Sequence, residues 1–477
     1  MKFRRAKIVC TLGPASNSAS MIERLMRAGM DVARLNFSHG THSEHARTIA
    51  RLRDASARLE KPIAVLADLQ GPKIRTGSLV GGCPVLLRAG ARFTISSRTK
   101  AGTSAGVSTT FRRLPQVVQR GERILLQDGL IELRVISTSA DSVTTEIING
   151  GELGEHKGIN LPGAKLRIPA LTRKDYRDLA FALRHGANYI AVSFVRRPED
   201  VRTVKSAVAR AGRETPVIAK LEKPEAIENL DAILRAADGV MIARGDLGVE
   251  MSPEKVPVVQ KEIIARACDA RRIVITATQM LESMTHNPRP TRAEASDVAN
   301  AVFDGTDALM LSAETATGDY PVAVVEMMDR IAREAESCMT NILRPHAAQF
   351  NIAETTAELI CHASEELRMK VIAVFTQTGS TARLISKHRP LRPIIAFSPV
   401  QETRRQLSLA WGVLPRTIGH VRNIEELASI AEKRLLEEGL VRRGDIVGIV
   451  AGTPIGVVGT TNFMKFHVIG GSGQRKR

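Results

Sequence analysis

Eight short apolar segments recur along the first two thirds of the chain, separated by stretches with helical spacing. Each is rich in Val, Ile, Leu and Ala, as expected of parallel strands covered on both faces. Between them, apolar residues fall on one helical face, as Ile227, Leu230 and Ile233 do. The eight segments are 7–13, 32–38, 63–69, 189–195, 217–222, 240–245, 273–279 and 309–314. Eight such units predict an α/β fold, a (β/α)8 TIM barrel, with a doubly wound sheet as the alternative.

The alternation is interrupted after the third segment by about a hundred residues, far more than an ordinary connection needs. Here β-branched and polar residues alternate, and turn sequences such as QDG and NGG recur. We therefore predict an inserted antiparallel β domain at 72–168, with the barrel at 1–71 and 169–338. The loop after a barrel strand opens at the carboxyl-terminal face, so the insert is placed to act as a lid.

A third pattern follows the barrel. The apolar runs VIAVFT, IIAFS, DIVGIVAG and FMKFHVIG are separated by helical segments. This order predicts a separate C-terminal α/β domain at 339–477.

Composition narrows the class of protein. Of the 477 residues, 43% are hydrophobic and 25% charged, as in ordinary globular proteins. No apolar run reaches the ~20 residues of a membrane span, and the amino terminus does not resemble a signal peptide. The five cysteines are odd in number and form no C-x-x-C pair, which favours a reduced, cytoplasmic protein.

The formal net charge of +18 raises the question of nucleic-acid binding. Against it, basic residues are scattered among acids along the predicted helices, and only 3% of residues are aromatic. We expect neither nucleic acid nor membrane as a partner. An excess of positive charge equally suits an enzyme with polyanionic substrates.

Polar residues cluster where the predicted strands end. They are Arg34, Asn36, Ser38 and His39 at the second strand, Asp68, Lys73 and Arg75 at the third, Lys220 and Glu222 at the fifth, Arg244 and Asp246 at the sixth, Thr278 and Gln279 at the seventh, and Ser312 and Glu314 at the eighth. A single charge after a strand is usually a solvated loop residue. In a barrel, however, the carboxyl ends of all strands meet at one face, where catalytic groups gather.

The residue types at this face indicate phosphoryl transfer. Lys220 and Glu222 alternate with one residue between them and therefore share a strand face, either as a structural ion pair or as functional groups. Glu222 and Asp246 suit a hard cation such as Mg²⁺ or Mn²⁺, and hydrogen-bonded rim carboxylates are the alternative. Arg34, Arg75 and Lys220 supply positive charge for a phosphate or carboxylate.

Two smaller residues complete this pattern. Gly245 is either a tight turn or a place where the backbone approaches a ligand, and Thr278 is either a strand former or a substrate contact. The sequence contains no Walker A motif and no kinase-type glycine loop. Metal, cations and little covalent machinery are typical of phosphoryl transfer.

These residues lie in motifs that closely resemble those of the pyruvate kinase family. The motifs are AKIVCTLGPAS, ARLNFSHG, DLQGPKIRTG, KGINLPG, AVSFVR, AKLEKPEAI, ARGDLGVE, TATQMLESM and PTRAEASDVANAVFDGTDALMLSAETATGDYP. They run from residue 6 to about 321 in the family's order. The resemblance implies transfer of the phosphoryl group of phosphoenolpyruvate to ADP, giving pyruvate and ATP.

The resemblance also implies roles for individual residues. Arg34 and Lys220 would contact the transferred phosphoryl group, and Glu222 and Asp246 would bind the divalent cation. The backbone at Gly245, with Asp246 and Thr278, would bind the substrate. The resemblance further places His39, Arg75 and Lys157 on the nucleotide side, and Thr278 and Ser312 are candidates for the proton relay to the enolate carbon.

The sequence departs from the family at its monovalent-cation site. Asn36, Ser38 and Asp68 of that site are present, but Leu69 stands where Thr is common and Lys73 where a Glu is common. Our hypothesis is that the Lys73 ammonium replaces K⁺, so that turnover does not require K⁺. The alternative is that Lys73 is a surface residue and K⁺ still binds.

The C-terminal third matches the family more loosely. Its segment VFTQTGSTARLIS resembles the family's effector loop, with Thr376, Thr378, Gly379, Ser380 and Thr381 as a phosphate cradle or, alternatively, a helix cap. The distal AGTPIGVVGTTN lacks the Arg of some fructose-1,6-bisphosphate-responsive members. The resemblance therefore implies another phosphorylated effector, such as a sugar monophosphate or AMP, and a homotetramer.

Two rival functions fit parts of the pattern. A metal-dependent aldolase acting on pyruvate would share the carboxylates and an Arg but would not need the insert or Lys220. A catalytically inactive metabolite sensor would use the C-terminal cradle, but it would be expected to lack the metal-binding carboxylates.

Overall fold

The chain folds into a closed parallel barrel, an inserted β domain and a C-terminal α/β domain. The computed structural model describes residues 3–164, 168–339, 351–419, 421, 423–454 and 460–471. Elements are numbered along the chain. The barrel begins with the strands β1 (Lys7–Thr11), β2 (Val32–Asn36) and β3 (Ala64–Leu69) and the helices α1 (Ala19–Ala28) and α2 (His42–Arg58). Both helices begin at hydroxyl caps, Ser18 and Thr41, whose side chains accept a backbone N–H of the first turn.

The inserted domain follows β3 and consists of two sheets. Its elements are β4 (Val85–Leu87), β5 (Arg92–Ser96), β6 (Gly106–Ser108), α3 (Leu114–Val117), β7 (Arg123–Leu126), β8 (Ile131–Thr138), β9 (Ser142–Asn149), β10 (Gly151–Leu153) and β11 (Ile159–Asn160). One sheet pairs β10 with β4, and the other has the order β11-β7-β8-β9-β5-β6. The pairings are antiparallel except that β6 runs parallel to β5. The predicted antiparallel domain is therefore confirmed, with one parallel strand at its edge.

The chain then completes the barrel. Its remaining elements are α4 (Arg173–Arg184), β12 (Tyr189–Val192), α5 (Pro198–Arg210), β13 (Val217–Leu221), α6 (Pro224–Glu228), α7 (Leu230–Ala236), β14 (Gly239–Ala243), α8 (Arg244–Glu250), α9 (Val256–Asp269), β15 (Ile273–Ala277), α10 (Arg292–Asp304), β16 (Ala308–Leu311), α11 (Ala313–Ala316) and α12 (Pro321–Ser337). The strands close in the order β1-β16-β15-β14-β13-β12-β3-β2, all parallel. The predicted (β/α)8 barrel is confirmed.

Most barrel strands end one to three residues before the predicted segments do. Glu222, Thr278 and Ser312 each follow their strand directly, and Asp246 lies in the first turn of α8. The strands themselves are buried on both faces, which explains their uninterrupted apolar sequence. The polar residues begin where the hydrogen bonding between barrel strands ends, at the open mouth of the barrel.

The C-terminal domain is a five-stranded sheet with helices. Its elements are α13 (Ile352–Glu366), β17 (Val371–Phe375), α14 (Ser380–Lys387), β18 (Ile394–Ser398), α15 (Gln401–Leu407), β19 (Val413–Thr417), α16 (Ile424–Glu437), β20 (Ile446–Ala451) and β21 (Phe463–Val468). The order is β19-β18-β17-β20-β21, parallel except for β21. Sequence analysis predicted four of these strands and missed β19, an edge strand containing Pro415 and Arg416.

Buried polar contacts join the three parts. The C-terminal domain lies against the amino-terminal ends of the barrel strands, where Lys7 Nζ donates to Val413 O at 2.7 Å. The insert is joined to the barrel mouth by Asn160 of β11, whose Nδ2 lies 2.8 Å from Glu250 Oε1 at the end of α8. Lys223 Nζ lies 2.5 Å from the same oxygen. All three side chains of this Asn160–Lys223–Glu250 cluster are buried.

No helix among the described residues combines the length and the apolar character that crossing a bilayer requires.

Candidate active site

Four charged residues from three strand ends meet at the barrel mouth. Arg34 Nη2 lies 2.7 Å from Asp68 Oδ2, and Lys220 Nζ lies 3.3 Å from Asp68 Oδ1 and 2.9 Å from Glu222 Oε1. Lys220 Nζ also donates to Ser193 Oγ at 2.8 Å. The structure thus brings together Arg34, Asp68, Lys220 and Glu222, as expected of residues at the carboxyl ends of parallel strands.

Arg34 is also connected to the seam where the barrel closes. Its Nη1 donates to Thr11 Oγ1 at 2.9 Å, and that hydroxyl donates to Leu311 O at 2.8 Å. Thr11 ends β1 and Leu311 ends β16, so the pairing of the first and last barrel strands helps to orient the guanidinium.

Burial and charge compete in setting the protonation of this cluster. Burial alone would lower the pKa of Lys220, but the charges of Asp68 and Glu222 prevail and raise it. Burial opposes ionisation of Asp68 as well, yet Lys220 and Arg34 hold its pKa below the ordinary value. Lys220 and Asp68 therefore both carry their charge at neutral pH.

Glu222 is in the opposite situation. Burial raises its pKa and the nearby charge of Asp246 adds to this, although Lys220 acts against it. Its Oε2 accepts the Phe194 backbone N–H at 2.6 Å. Glu222 is buried and Asp246 is half-buried, and a hard divalent cation would relieve the repulsion between these two carboxylates, so the residues present fit Mg²⁺ or Mn²⁺. Within the described ranges, no group of three or more His, Cys, Asp or Glu side chains is arranged to hold a metal ion.

The segment from Arg244 to Asp246 is anchored by the turn after β15. The Gly245 N–H donates to Thr278 Oγ1 at 2.7 Å, and Arg244 Nη2 donates to Thr278 O at 2.8 Å. Arg244 also pairs with Asp297 of α10 at 2.7 Å. Thr278 has a φ of 69°, rare for a β-branched residue, and lies outside β15. The alternative that Thr278 is a simple strand former is therefore wrong.

A cleft between insert and barrel opens over this segment. Its volume is about 670 Å³, and among its lining residues are Lys73, Gly245, Asp246, Thr278, Ser312 and, from the insert, Asp128. The Ser312 N–H donates to Glu314 Oε2 at 2.6 Å, which orients the turn carrying the Ser312 hydroxyl. Two predicted site residues from different strands, Thr278 and Ser312, thus face one space together with Asp246.

The three residues predicted on the nucleotide side lie farther out. His39 is exposed, and partial burial together with the charges of Arg75 and Arg34 lowers its pKa. Arg75 donates from Nη1 to His156 O at 3.0 Å within the insert. Lys157 is exposed and is not among the residues lining the cleft. Of the other two residues, Arg75 is the one whose charge acts on His39.

The predicted monovalent site is largely engaged by protein groups. Asn36 Oδ1 accepts the Ser38 N–H at 3.0 Å, and Asp68 is paired with Arg34 and Lys220. Leu69, which replaces the usual Thr, is fully buried. Lys73 is half-buried and lines the cleft.

The predicted effector loop is well formed in the C-terminal domain. Thr376 Oγ1 accepts the Gly379 N–H at 2.9 Å, and Gly379, with a φ of 80°, is the N-cap residue of α14. The N-cap glycine has no side chain to cap the helix, but Thr378 Oγ1 accepts the Ser380 N–H at 3.4 Å, and Thr378 and Ser380 are exposed. Thr381 is instead buried, with its Oγ1 2.7 Å from Thr461 Oγ1. Of the distal segment 451–462, residues 455–459 lie outside the described residues.

Sequence reasoning missed several contributors to the site. Ser193 and Phe194 follow β12 and contact Lys220 and Glu222, one of them through its backbone alone. Asp297, on α10, positions Arg244 from a helix rather than from a strand end. The motif AVSFVR contains the first two, but nothing in the pattern of polar strand ends distinguishes them.

The closed barrel and its cluster of cations and carboxylates define a class, the β/α-barrel phosphotransferases. Sequence comparison is more specific. The profile of the pyruvate kinase barrel domain matches residues 3–325, and that of the pyruvate kinase alpha/beta domain matches residues 354–467. The chain therefore belongs to the pyruvate kinase family and is a phosphotransferase.

Individual relatives agree with this assignment. The chain is 45% identical over 473 residues to a pyruvate kinase of Geobacillus stearothermophilus, covering 98% of this chain and 80% of the relative. It is 46% identical to one of Staphylococcus aureus (strain MRSA252), covering 98% and 81%. The crystal structure of a pyruvate kinase from Cryptosporidium parvum superimposes with a TM-score of 0.92 at 37% identity, covering 98% of this chain and 96% of that one.

Proposed function

We propose that the chain transfers the phosphoryl group of phosphoenolpyruvate to ADP, giving pyruvate and ATP in glycolysis. The convergence of Arg34, Asp68, Lys220 and Glu222 at one barrel mouth carries the proposal. In this step the bond between phosphorus and the enol oxygen breaks, and a bond to the terminal phosphate oxygen of ADP forms. Little covalent chemistry is required of the protein, which must position the groups and stabilise charge.

In this proposal, Arg34 and Lys220 hold the phosphoryl group. Lys220 is fixed by Ser193 and Glu222 and stays protonated, so its charge faces the equatorial oxygens as the bond loosens. Glu222 and Asp246 would hold Mg²⁺ or Mn²⁺, which supplies charge neutralisation to the phosphoryl and enolate oxygens when bound. The backbone at Gly245, with Thr278, binds the substrate carboxylate.

The enolate carbon must then receive a proton. Thr278 and Ser312 line the cleft beside Asp246 and are our candidates for a relay that includes water. On the opposite side, His39, Arg75 and Lys157 are proposed to bind the nucleotide, and the insert that carries Arg75 and Lys157 acts as a lid.

A coupled assay with phosphoenolpyruvate, ADP and Mg²⁺ tests the reaction. Lys220→Met is expected to keep the fold and substrate binding but to lose most turnover, because the charge facing the transferred group is gone. Lys205→Met, which removes a cation on the outer helix α5, is the matched control and should retain turnover. Near-normal turnover in Lys220→Met contradicts the assigned role.

We further propose that K⁺ is not required. Lys73 lines the cleft, the Asn36 amide oxygen and Asp68 Oδ2 already accept protein donors, and Asp68 Oδ1 is ion-paired with Lys220 at 3.3 Å. In tetramethylammonium buffer, wild-type turnover should change little when K⁺ is added, whereas Lys73→Glu should become K⁺-stimulated. A large stimulation of the wild type by K⁺ refutes this proposal.

The C-terminal cradle is proposed to bind a phosphorylated effector. Exposed hydroxyls of Thr378 and Ser380 at a helix start whose N-cap residue is Gly379 support this. AMP or a sugar monophosphate should shift the half-saturating concentration of phosphoenolpyruvate, and Thr378→Ala combined with Ser380→Ala should abolish the shift. An unchanged shift in that double variant would reject the cradle as the effector site.

We also propose a cytoplasmic homotetramer with the domain limits 1–71 and 169–338, 72–168, and 339–477. Strand β21 supports the assembly because it lies at the edge of its sheet and exposes Phe466 and Val468.

A further inference from the structure

The two connections between the barrel and the insert meet at one buried carboxylate, that of Asp175 in the first turn of α4. Where the chain leaves the barrel, Asp175 Oδ1 accepts the Gly71 N–H at 3.0 Å, just beyond the end of β3. Where the chain returns, Asp175 Oδ2 accepts the N–H of Thr172 at 2.8 Å and its hydroxyl at 2.6 Å. The same side chain therefore fixes both connections relative to the barrel.

Helix capping explains one side of this arrangement. Thr172 is the N-cap residue of α4, and its exchange of hydrogen bonds with Asp175 is a capping box. Thr41 and Glu44 form the same box at the start of α2, where Glu44 Oε2 accepts the Thr41 N–H at 2.7 Å and the Thr41 hydroxyl at 3.0 Å. The bond from Gly71 to Asp175 Oδ1 is additional to the box and joins α4 to a distant part of the chain.

Gly71 packs directly on the turn that follows β12. Its φ is 68°, and a Cβ atom at this position would lie 2.9 Å from Ser193 Cβ and 3.2 Å from Phe194 Cδ2, so glycine is required here. Phe194 is also left-handed, with a φ of 56°. A strained backbone of this kind persists when the surrounding structure holds it, and Gly71 is one of the groups that do so.

The same turn orients two charged groups at the barrel mouth. Ser193 Oγ accepts a hydrogen bond from Lys220 Nζ at 2.8 Å and donates one to Leu69 O at 2.8 Å, at the end of β3. The Phe194 N–H donates to Glu222 Oε2 at 2.6 Å. A displacement of this turn would therefore move the Lys220 ammonium and the Glu222 carboxylate together.

We propose that Asp175 is a positioning residue for the reaction at the barrel mouth. It holds Gly71 against the turn at residues 193–194, and that turn holds Lys220 and Glu222 in place. Its effect on turnover rests on the proposed function, whereas its effect on metal binding at Glu222 does not depend on which reaction is catalysed. A misplacement of about 1 Å among reacting groups can cost on the order of 100-fold in rate, so a residue acting through this turn has a measurable effect.

Asp175→Ala in the full-length protein removes both carboxylate oxygens and leaves the Gly71 N–H without its acceptor. We expect kcat for pyruvate formation to fall at least about tenfold, while the KM for phosphoenolpyruvate changes less than about threefold. Binding of Mn²⁺, measured by electron paramagnetic resonance without phosphoenolpyruvate or ADP, should weaken several-fold because Glu222 is displaced. Glu44→Ala removes the equivalent capping carboxylate from α2 and should leave kcat and Mn²⁺ binding unchanged.

Gly71→Ala disturbs the same path while Asp175 stays in place. Its methyl group would collide with Ser193, so kcat and Mn²⁺ binding should both fall. Gly186→Ala is the matched control, because Gly186 at the end of α4 has a similar φ of 72° and, among the described residues beyond its chain neighbours, no atom within 4 Å of the new methyl group. Thermal unfolding checks that all four variants are folded, and Gly71→Ala decides the matter if Asp175→Ala is not.

Two results would overturn the proposal. One is a folded Asp175→Ala with the kcat and Mn²⁺ affinity of Glu44→Ala, which would reduce Asp175 to a helix cap. The other is a Gly71→Ala variant with the kcat and Mn²⁺ affinity of Gly186→Ala. If the wild type forms no pyruvate from phosphoenolpyruvate and ADP while Asp175→Ala still weakens Mn²⁺ binding, the proposed reaction is wrong and the positioning of Glu222 by Asp175 is supported.

Discussion

Lys220 is a buried ammonium group whose position depends on three side-chain oxygen partners. Burying such an ion costs several kcal/mol unless its partners are well placed. Here Asp68 and Glu222 supply negative charge and Ser193 accepts a hydrogen bond, so the pKa of Lys220 is raised rather than lowered. Its charge therefore does not titrate near neutral pH, and any pH dependence of turnover in that range must come from other groups.

A second buried charge cluster allows a test of acid stability. Asp31 lies 2.9 Å from Arg4 Nη2 and accepts the Ile8 N–H at 3.0 Å. Burial opposes its ionisation, but the charges of Arg4, Lys7 and Lys61 lower its pKa to about 2. Since the unfolded value is about 3.9, the stabilisation is complete above that pH and is lost as the pH falls through the folded value.

Asp31→Asn should therefore lower the free energy of unfolding at pH 7 by about 2–3 kcal/mol. The difference from the wild type should shrink below pH 4 and become small near pH 2. Circular dichroism of thermal unfolding at several pH values measures this, with the exposed Asp269→Asn as control. A difference that is constant across the pH range would show that the ionised carboxylate is not the stabilising group.

At the residue scale, the side chains of the candidate site can be predicted from the sequence more readily than the backbone groups that contribute to it. Lys220, Glu222 and Asp246 are identifiable because a charge that follows an apolar run is conspicuous. Phe194 contributes only its N–H to Glu222, and no side-chain pattern signals that. The pairing of Asp68 with both Arg34 and Lys220 depends on how neighbouring strands lie in the barrel, which is a tertiary property.

Among the elements, the turn after β15 and the start of α8 form one unit. Thr278 Oγ1 accepts the Gly245 N–H and donates to Ala277 O at 2.6 Å, while its φ of 69° costs roughly 1–3 kcal/mol. The two hydrogen bonds offset that strain and fix the backbone at Gly245. The hydroxyl therefore matters for positioning as well as for any contact with substrate.

Two substitutions at Thr278 distinguish these contributions. Thr278→Val keeps the shape but leaves the Gly245 N–H without its acceptor, which should cost about 1–3 kcal/mol of stability and most of the turnover. Thr278→Ser keeps the hydroxyl and should retain the larger part of both. Thermal unfolding and the kcat for pyruvate formation measure the two effects, and equal losses in both variants would rule out the hydroxyl.

Continuously apolar strands are predictable from the sequence, whereas strands of two or three residues and polar edge strands are not. All eight barrel strands were predicted because burial on both faces makes them continuously apolar. β6, β10 and β11 have only two or three residues each, and β19 carries Pro415 and Arg416 at a sheet edge. Such strands are held by their neighbours and not by their own composition.

For the whole molecule, the Asn160–Lys223–Glu250 cluster joins the insert to the helix that carries Asp246. Glu250 ends α8, Lys223 follows β13, and Asn160 is the contribution of the insert. Removing Lys223 would leave a buried carboxylate unpaired, whereas removing the Asn160 amide leaves the ion pair intact. Asn160 is therefore the better residue for loosening the insert alone.

Asn160→Ala should raise the KM for ADP several-fold while kcat changes little, because the insert carries Arg75 and Lys157. Hydrogen exchange should accelerate in β11 and β7. Asn149→Ala, an exposed position at the end of β9, is the matched control. Unchanged exchange in the insert would show that the cluster does not hold it in place.

Strand β21 provides a test of the proposed assembly. Phe466→Glu places a charge on an exposed edge strand whose Phe466 side chain is 47% accessible in the single chain. Light scattering should give the mass of four chains for the wild type and a smaller species for the variant. A variant of unchanged mass would exclude this edge from the interface.

The hydrogen bond from Arg34 through Thr11 to Leu311 has a consequence for protein synthesis. The two ends of that relay are separated by most of the barrel sequence, and β1 has no partner in β16 until residues 308–311 have been made. A nascent chain that ends before Leu311 lacks the carbonyl that accepts the Thr11 hydroxyl, so the hydrogen bonds that orient Arg34 are incomplete. Ribosome-bound fragments ending before Leu311 should therefore be inert, and activity should arise only when the last strand of the barrel has been translated.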